Sequence, residues 1–386
     1  MSEKKSKSKA EINFLKVLKT DGQYIIQLLK DHFKNDSVID NKYNTSYQGN
    51  FILFPLTESK EVIDKLKKML EGSISYEIVS REAIGRVNYK YKSLEEALTG
   101  KIPYEHSDLI PKSYDIIGNI AILEFEKTSQ IKDNKFSDYK TLIADAVIEV
   151  NKNVQSVFEK KSEIKGDYRL RDFALLSGEN KSETIHRENN SSFKLDIRNT
   201  YFSPRLVFER RRISNNKIQE NETIVDMFAG VGPFSIQIAK LKSVKIHAFD
   251  VNPHAYNYLQ ANIELNTLKG EVIPYNNNIR DLLNPSNQIG KQLCGTVDRI
   301  IMNLPEQSIN FIDVTCFLMK KTGGILHFYQ ISEKPGPIEK TIEDLKIKLN
   351  DFNWVIVEID NSKIVKSYSP KSELIVIDLG IKPLNS

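Results

Sequence analysis

From Thr223 onward, short apolar runs alternate with segments of helical periodicity, and this alternation limits the fold more than any other feature of the chain. "TIVDMF" precedes "PFSIQIAKL" and "VKIHAFD" precedes "PHAYNYLQANIELN"; "VIPY", "RIIMNL", "GGILHFYQ", "WVIVEI" and "SELIVIDL" follow, most of them separated by helix-like stretches. Strands that alternate with helices build parallel βαβ units, with helices on both faces of one sheet. The fold class expected is α/β.

At 386 residues the chain suits two or three domains, and 40% apolar content is enough for real cores. The first 77 residues read as a small α/β module. "INFLKVLKTDGQYIIQLLKDHF" places apolar residues at helix spacing, "NFILFPLTE" reads as a strand and "VIDKLKKML" as a second helix. Residues 78–118, with Pro103, Pro111 and Gly118, read as a join into a second unit that ends near Arg198, which leaves residues 199–386 for the alternating pattern.

Composition narrows the setting. No apolar run reaches the ~18 residues of a membrane-spanning helix. The lysine-rich start "MSEKKSKSKA" lacks the apolar stretch of a secretory signal and reads as a solvated tail. Two cysteines, Cys294 and Cys316, suit neither a disulfide framework nor a zinc site, so a reducing, cytoplasmic setting without a structural metal is expected. A net charge of +4, from 55 basic and 51 acidic residues, permits a polyanionic partner without requiring one.

In "IVDMFAGVGPFSIQIAK" a strand runs into Gly230 and Gly232 and then into a helix. Glycines let backbone pass close to a ligand, and the helix start presents free N–H groups. Asp250 ends the next strand, placed to accept from ribose hydroxyls. A dinucleotide fingerprint would carry a third glycine where Ser235 stands, so a pyrophosphate site is disfavoured. S-Adenosylmethionine has no phosphate, and its needs match what is present: the glycine turn for its amino-acid end, Asp250 for the ribose, and a polar contact for adenine. Asp226 would meet the ammonium group or orient the turn. In "YNNNIRDLL", Asn278 or Asp281 would take the adenine amine, with helix capping the plainer role for Asp281.

Taken together, "DMFAGVGPFSI", "FDVNPHAYNYLQANIELN" and "IIMNLP" resemble the class I S-adenosylmethionine-dependent methyltransferases. The stretch Tyr168 to Ile213 and "VKSYSP" at Val365 to Pro370 narrow the resemblance to the archaeal and eukaryotic tRNA (guanine-37 N1)-methyltransferases. The resemblance implies a Rossmann-like catalytic domain with a mostly parallel seven-stranded sheet. Two smaller RNA-binding domains would precede it: residues 1–77 docking on the tRNA elbow and residues 78–198 holding the anticodon stem. The family pattern would place an acid near Asn278, though an asparagine carbonyl also accepts from the adenine amine. Phe228 joins the cofactor contacts on the same resemblance. One chain can supply every tRNA contact, so a monomer is expected.

Methylation of guanine at N1 requires that the N1 proton leave, which calls for a general base within hydrogen-bond reach. Charge then spreads to O6, where a cation or donor lowers the barrier. The resemblance places the base at Glu209 and the O6 donor at Arg169. In an extended segment Arg171 would share the face of Arg169, so the residues alone do not separate the two. Glu209, amid arginines, also has a plain reading as a salt bridge to Arg205, Arg210 or Arg212. Tyr201 would stack beside the cofactor or target base, or pack beside Phe202. Arg205, Arg210 and Arg212 suit phosphate, and His186 reads as structural. Asn303, followed by Leu304 and Pro305, ends the fourth strand of the alternating pattern. Its side-chain carbonyl can accept from guanine N–H, while Pro305 stiffens the loop and is expected to leave the Leu304 carbonyl free.

Four other readings stand beside this one. A wyosine-pathway aminocarboxypropyl transferase shares the scaffold but would carry other residues at Asn303 and Pro305, and the sequence does not exclude an enzyme that also methylates a tricyclic wyosine precursor. A catalytically idle RNA-binding protein would have lost the glycine turn, Asp250 or Glu209. An NAD-dependent oxidoreductase would need the third glycine.

Overall fold

The strands expected after Thr223 join in one seven-stranded sheet. In the computed structural model of the protein, which describes residues 9–33, 38–86, 89–99, 101–103, 110–125 and 135–384, the order across it is Glu271–Tyr275, Lys245–Phe249, Thr223–Asp226, Arg299–Met302, Gly324–Glu333, Ser372–Pro383 and Trp354–Ser369. The first five pair in parallel, and Ser372–Pro383 runs against both of its neighbours. Arg299–Met302 is buried along its whole length, as a strand covered on both faces must be. Successive residues feed different cores: Ile224 and Ile301 enter one, while Val225, Ile300 and Met302 enter the other.

The chain leaves the first strand of this sheet in two directions. Its second and third strands lie on one side, its fourth and fifth on the other. At such a reversal the carboxyl ends of the two central strands flank a crevice, where open α/β folds place their ligands. Here those ends carry Asp226 and the Met302–Asn303 junction.

Residues 1–92 form a compact unit of their own. Its antiparallel sheet has the order Ser46–Gln48, Phe51–Pro55, Lys9–Leu18 and Tyr76–Ile84, and Leu15, Ile25, Phe54 and Leu66 meet in its core. Two expectations are corrected. Ile12 to Leu18 is strand, not helix, because this central strand buries both faces: Leu15 and Val17 enter one cluster and Phe14 another, a spacing that imitates a helix. The unit does not end at residue 77, since Tyr76–Ile84 pairs along its full length with Lys9–Leu18. The lysines of residues 1–8 lie outside the described residues.

Residues 93–386 pack as the second compact unit, with no break after residue 198. Before the large sheet stands a four-stranded one, in the order Asp115–Ile117, Ile120–Leu123, Ser156–Lys160 and Phe173–Gly178. The hairpin Glu183–Glu188 and Ser191–Asp196 turns through Asn189 and Asn190, whose φ values of 45° and 60° suit the left-handed two-residue turn that fits strand twist. On one side Thr184 bonds to Asn119 (2.6 Å). On the other, Asn262 of the helix Pro253–Leu265 and Asn266, the residue that caps its end, imitate a neighbouring strand. Asn262 accepts from Lys194 N–H (2.6 Å) and donates to Lys194 C=O (3.0 Å), while Asn266 does the same for Ser192 (3.0 and 2.8 Å).

Asn262 also donates to the Val231 carbonyl (3.0 Å) and is fully buried. Asn262→Ala is expected to leave Lys194 N–H and Val231 C=O unpaired and to cost about 2–4 kcal/mol, read as a lowered urea midpoint at unchanged slope. A change below about 0.5 kcal/mol would contradict this account of the hairpin.

Candidate active site

The turn after the first strand is tied between that strand's neighbours: Met227 N–H donates to Ile301 C=O (3.1 Å) and Ala229 N–H to Phe249 C=O (2.8 Å). Gly230 and Gly232 then take φ values of 56° and 88°. A Cβ on Gly232 would stand 2.3 Å from the Leu259 side chain, so glycine is required there for space as well as conformation. Gly230 N–H donates to Asp250 Oδ2 (2.7 Å), and Asn252 N–H to Asp250 Oδ1 (2.9 Å). The Asn252 amide donates to Asn199 C=O (2.7 Å), which draws residues 199–203 alongside. The Tyr201 carbonyl accordingly lies within 3.8 Å of where a Gly230 Cβ would stand.

Ser235, in place of a third glycine, donates its hydroxyl to Asp226 Oδ2 (2.7 Å). Asp226 Oδ1 is buried with no hydrogen-bond partner. Burial, with Asp250 close by, pushes the Asp226 carboxyl up to about 7 despite the Ser235 bond, and burial also raises Asp250. Two carboxyls with raised proton affinity, Asp226 buried and Asp250 partly so, beside a glycine turn fit a ligand that brings a positive charge and hydroxyl donors.

Phe228 meets Phe311 edge-on at 5.0 Å. Asn278, not Asp281, is the helix cap: its side chain accepts from Arg280 N–H (3.0 Å), while Asp281 sits exposed inside the short 3-10 helix Ile279–Leu283.

At the fourth strand the side-chain oxygen of Asn303 is buried and has no hydrogen-bond partner. The Leu304 carbonyl, expected to be free, is engaged by the N–H groups of Gln307 (2.9 Å) and Ser308 (2.8 Å) and by the Ser308 hydroxyl (2.9 Å). A tight turn follows Pro305 and consumes that oxygen. Pro305 instead ties the loop to the fifth strand, its own carbonyl accepting from Ile331 N–H (2.8 Å). Beside this loop Gln330 presents a second buried, unpartnered oxygen. Its position at the carboxyl edge of the next strand is the signal that would have found it.

Arg169 has φ 56°, so the extended geometry expected to align it with Arg171 is broken at that residue. Its guanidinium lies 5.0 Å from the Tyr201 ring and 3.0 Å from Glu306, close enough for an ion pair, although its Nη1 has no aligned acceptor. Glu306 also accepts from the Tyr368 hydroxyl (3.1 Å). Arg169, Tyr201 and Tyr368 line a cleft of about 880 Å³ together with Arg171, Arg205 and Lys366. Arg205 pairs with Asp115 (2.7 Å), whereas Arg171 and Lys366 have no ion-pair partner among the described residues. Burial, and then the positive charges of Arg205, Lys160 and Arg171, depress Lys366 below the ordinary lysine range.

The arginine run divides. Arg210 is 2% exposed, grips Glu188 with both ends of its fork (Nη2 to Oε2, 2.6 Å) and donates to Ser203 C=O (3.1 Å), so it cannot reach phosphate. Arg212 is likewise committed, to Asp378 and to Glu209 (3.0 Å). Glu209, 3% exposed, also pairs with Lys363 (2.5 Å) and lies 3.4 Å from the Tyr329 hydroxyl. Its expected salt bridge is thus made with Arg212 and not with Arg205 or Arg210. His186 is structural in this arrangement: its Nδ1 accepts from Gly118 N–H (3.2 Å) and its Nε2 faces Glu188 (3.4 Å). Lys363 and Tyr329 were not legible as neighbours of Glu209, nor Asp378 as a partner of Arg212, since more than 100 residues separate the members of each pair.

The profile of the TRM5/TYW2 methyltransferase domain matches residues 184–366, and that of the TYW2 N-terminal domain matches residues 94–181. A protein of Pyrococcus abyssi named tRNA (guanine(37)-N(1))-methyltransferase Trm5b is 36% identical over 345 residues, covering 89% of this chain and 92% of its own. Its namesake in Methanocaldococcus jannaschii is 34% identical over 368 residues, covering 95% and 98%. The solved complex of aTrm5 and tRNALeu superposes with a TM-score of 0.66 at 32% identity, over 95% of this chain and 99% of that one. By contrast, a tRNA(Phe) (4-demethylwyosine(37)-C(7)) aminocarboxypropyltransferase of Pyrococcus horikoshii, 31% identical, covers 75% of this chain and 96% of its own. Near end-to-end likeness to the two Trm5b proteins, over a strand order and glycine turn that the fold displays independently, makes this chain a member of the TRM5/TYW2 methyltransferase family.

Proposed function

We propose that the protein methylates N1 of guanosine 37 in tRNA with S-adenosylmethionine as donor. The observation that carries this reading is the Asn303 side-chain oxygen, a buried acceptor without a partner at the crevice between the central strands. An unsatisfied buried acceptor is costly unless a ligand completes it, and a guanine edge offers the N–H it lacks. The intact Asn303-Leu304-Pro305 loop and the nearly full-length likeness to Trm5b proteins favour this activity over the wyosine-pathway transfer.

S-Adenosylmethionine, when bound, supplies an electrophilic methyl group on a sulfonium. The chain's own residues do the rest. Asp226 Oδ1 would receive the ammonium and Asp250 the ribose hydroxyls, and the turn at Gly230 and Gly232 would make room for the amino-acid end. Phe228, Asn278 and Asp281 would border the adenine, and Tyr201 would hold the nucleoside. A base beside the anticodon is partly stacked, so it must swing out to be read by its Watson–Crick edge. Asn303 then accepts from that edge, Arg169 leaves Glu306 for O6, and Glu209 takes the N1 proton after half-exposed Lys363 withdraws. Fixing N1 in line with the methyl and sulfur supplies much of the acceleration.

The part of the second unit before residue 198 would hold the anticodon stem, with its Arg171, and Arg205 and Lys366 from beyond it, meeting phosphate. The first unit would take the elbow. Its exposed Tyr24, Tyr47 and Phe51, two of them beneath Lys19 (5.5 Å) and Lys16 (4.7 Å), join flat faces to positive charge. The protein would act as a monomer in the cytoplasm, by chemistry that calls for no metal. Among the described residues no helix is long and apolar enough to cross a membrane.

Glu209→Gln and Arg169→Ala are each expected to slow single-turnover methylation by about 100-fold or more while cofactor affinity stays near wild type; unchanged rates would remove them from the mechanism. Because Asp226 lies near 7 before a cation arrives, cofactor binding at pH 6.5 is expected to release a fraction of a proton. Calorimetry in buffers of different ionisation enthalpy reads this directly, and in Asp226→Asn the release should vanish. Removing both Arg171 and Lys366 by alanine substitution should weaken tRNA binding and flatten its logarithmic salt dependence by about 1–2; an unchanged slope would place phosphate elsewhere.

A further inference from the structure

A chain of buried charge leads away from Glu209 through the core of the large sheet. Arg212 divides its fork between Glu209, reached by Nε at 3.0 Å, and Asp378, reached by its terminal nitrogens. Asp378 is fully buried on the reversed strand Ser372–Pro383 and also meets His327 Nδ1 (2.7 Å) and the Asn361 amide (3.2 Å). His327, equally buried on Gly324–Glu333, faces Arg299 through Nε2 (2.9 Å), and Arg299 is anchored by Glu222 (2.8 and 3.1 Å). A guanidinium only donates, so Nε2 accepts and Nδ1 carries the proton that it donates to Asp378. His327 is therefore neutral, in keeping with the burial that lowers its proton affinity.

Such an array does little for stability, because desolvating the charges offsets most of their attraction and apolar side chains of similar volume serve a core as well. Its value lies in what it does to Glu209. Arg212 alone beside Glu209 would set an uncompensated positive charge, with a fork free to turn, against the side chain that must meet guanine N1. Asp378 offsets the charge of Arg212 and fixes the plane of its fork. The other charged or titratable groups facing Glu209 are Lys363, from Trp354–Ser369, and the Tyr329 hydroxyl, from Gly324–Glu333.

We propose that Asp378, oriented by His327, is a positioning residue for the methyl-transfer reaction, holding Arg212 so that Glu209 is both aligned and able to accept the N1 proton. This inference rests on Glu209 as the base. It makes a signed prediction, since removing Asp378 strengthens the hold of Arg212 on the carboxylate, whereas removing the Arg212 charge relaxes it.

The test is the pH dependence of single-turnover methylation by the full chain, with saturating S-adenosylmethionine and a tRNA transcript. Asp378→Asn is expected to lower the limiting rate about 10- to 100-fold and to move the acidic limb to lower pH, with cofactor and tRNA affinities within about twofold of wild type. Arg212→Gln should move the same limb to higher pH, and it keeps the test available should Asp378→Asn fail to fold. A purely structural role cannot produce shifts of opposite sign. Profiles of both variants that superpose on wild type after scaling, while Glu209→Gln loses its acidic limb, would overturn the proposal and leave the base assignment intact. A limb that survives in Glu209→Gln would overturn both.

Discussion

Gly230 donates its N–H to Asp250 from a φ of 56°, and Gly232 starts the next helix from a φ of 88° with a leucine methyl where a Cβ would stand. Side chains rarely adopt that backbone. The turn it permits places Asp226, Asp250 and the Tyr201 backbone around one point at the carboxyl edge of the sheet. Asn252 fastens residues 199–203 there, and Asn262 fastens the hairpin through Val231. The cofactor crevice and the scaffold that carries Arg169 and Glu209 are thereby anchored to the same few backbone atoms.

Charge is distributed with a purpose on either side of this turn. The pair Arg210–Glu188 is closed: burial would raise Glu188, but bonds from His186 and Arg210 outweigh it and hold its carboxyl below the ordinary range. Asp378 is held down more firmly, at about 2, by His327 and Arg212 against the pull of burial. Asp226 stands at the opposite limit, near 7, because burial, with Asp250 close by, outweighs the bond from Ser235. Glu188 and Asp378 are fully partnered and belong to the frame, whereas Asp226 keeps an open oxygen at the crevice.

Much of this was legible beforehand. The large sheet could be read because its strands are short, apolar on both faces and regularly interrupted by helical periodicity. Asp250 and the two glycines could be read because each stands where a strand ends. The first strand of residues 1–92 was not, since a strand that buries both faces has no period-2 signature and Phe14, Leu15 and Val17 imitate a helical stripe. Nor was the division of the arginines. Arg205, Arg210 and Arg212 look alike in sequence, yet their partners Asp115, Glu188 and Asp378 lie 90, 22 and 166 residues away. Partner choice is a property of the packed core. The same holds for Glu306, which looks like a loop carboxylate until Arg169 is seen beside it.

At the centre of the proposed reaction is a clamp that would present guanine N1 at position 37 to a methyl donor. The most direct measurement is incubation of the full chain with S-adenosylmethionine and two tRNA transcripts differing only in guanine or adenine at position 37, followed by nucleoside mass spectrometry. N1-methylguanosine from the guanine transcript alone is the predicted result. A methyl group on another atom, an aminocarboxypropyl adduct, or equal modification of the adenine transcript would contradict it.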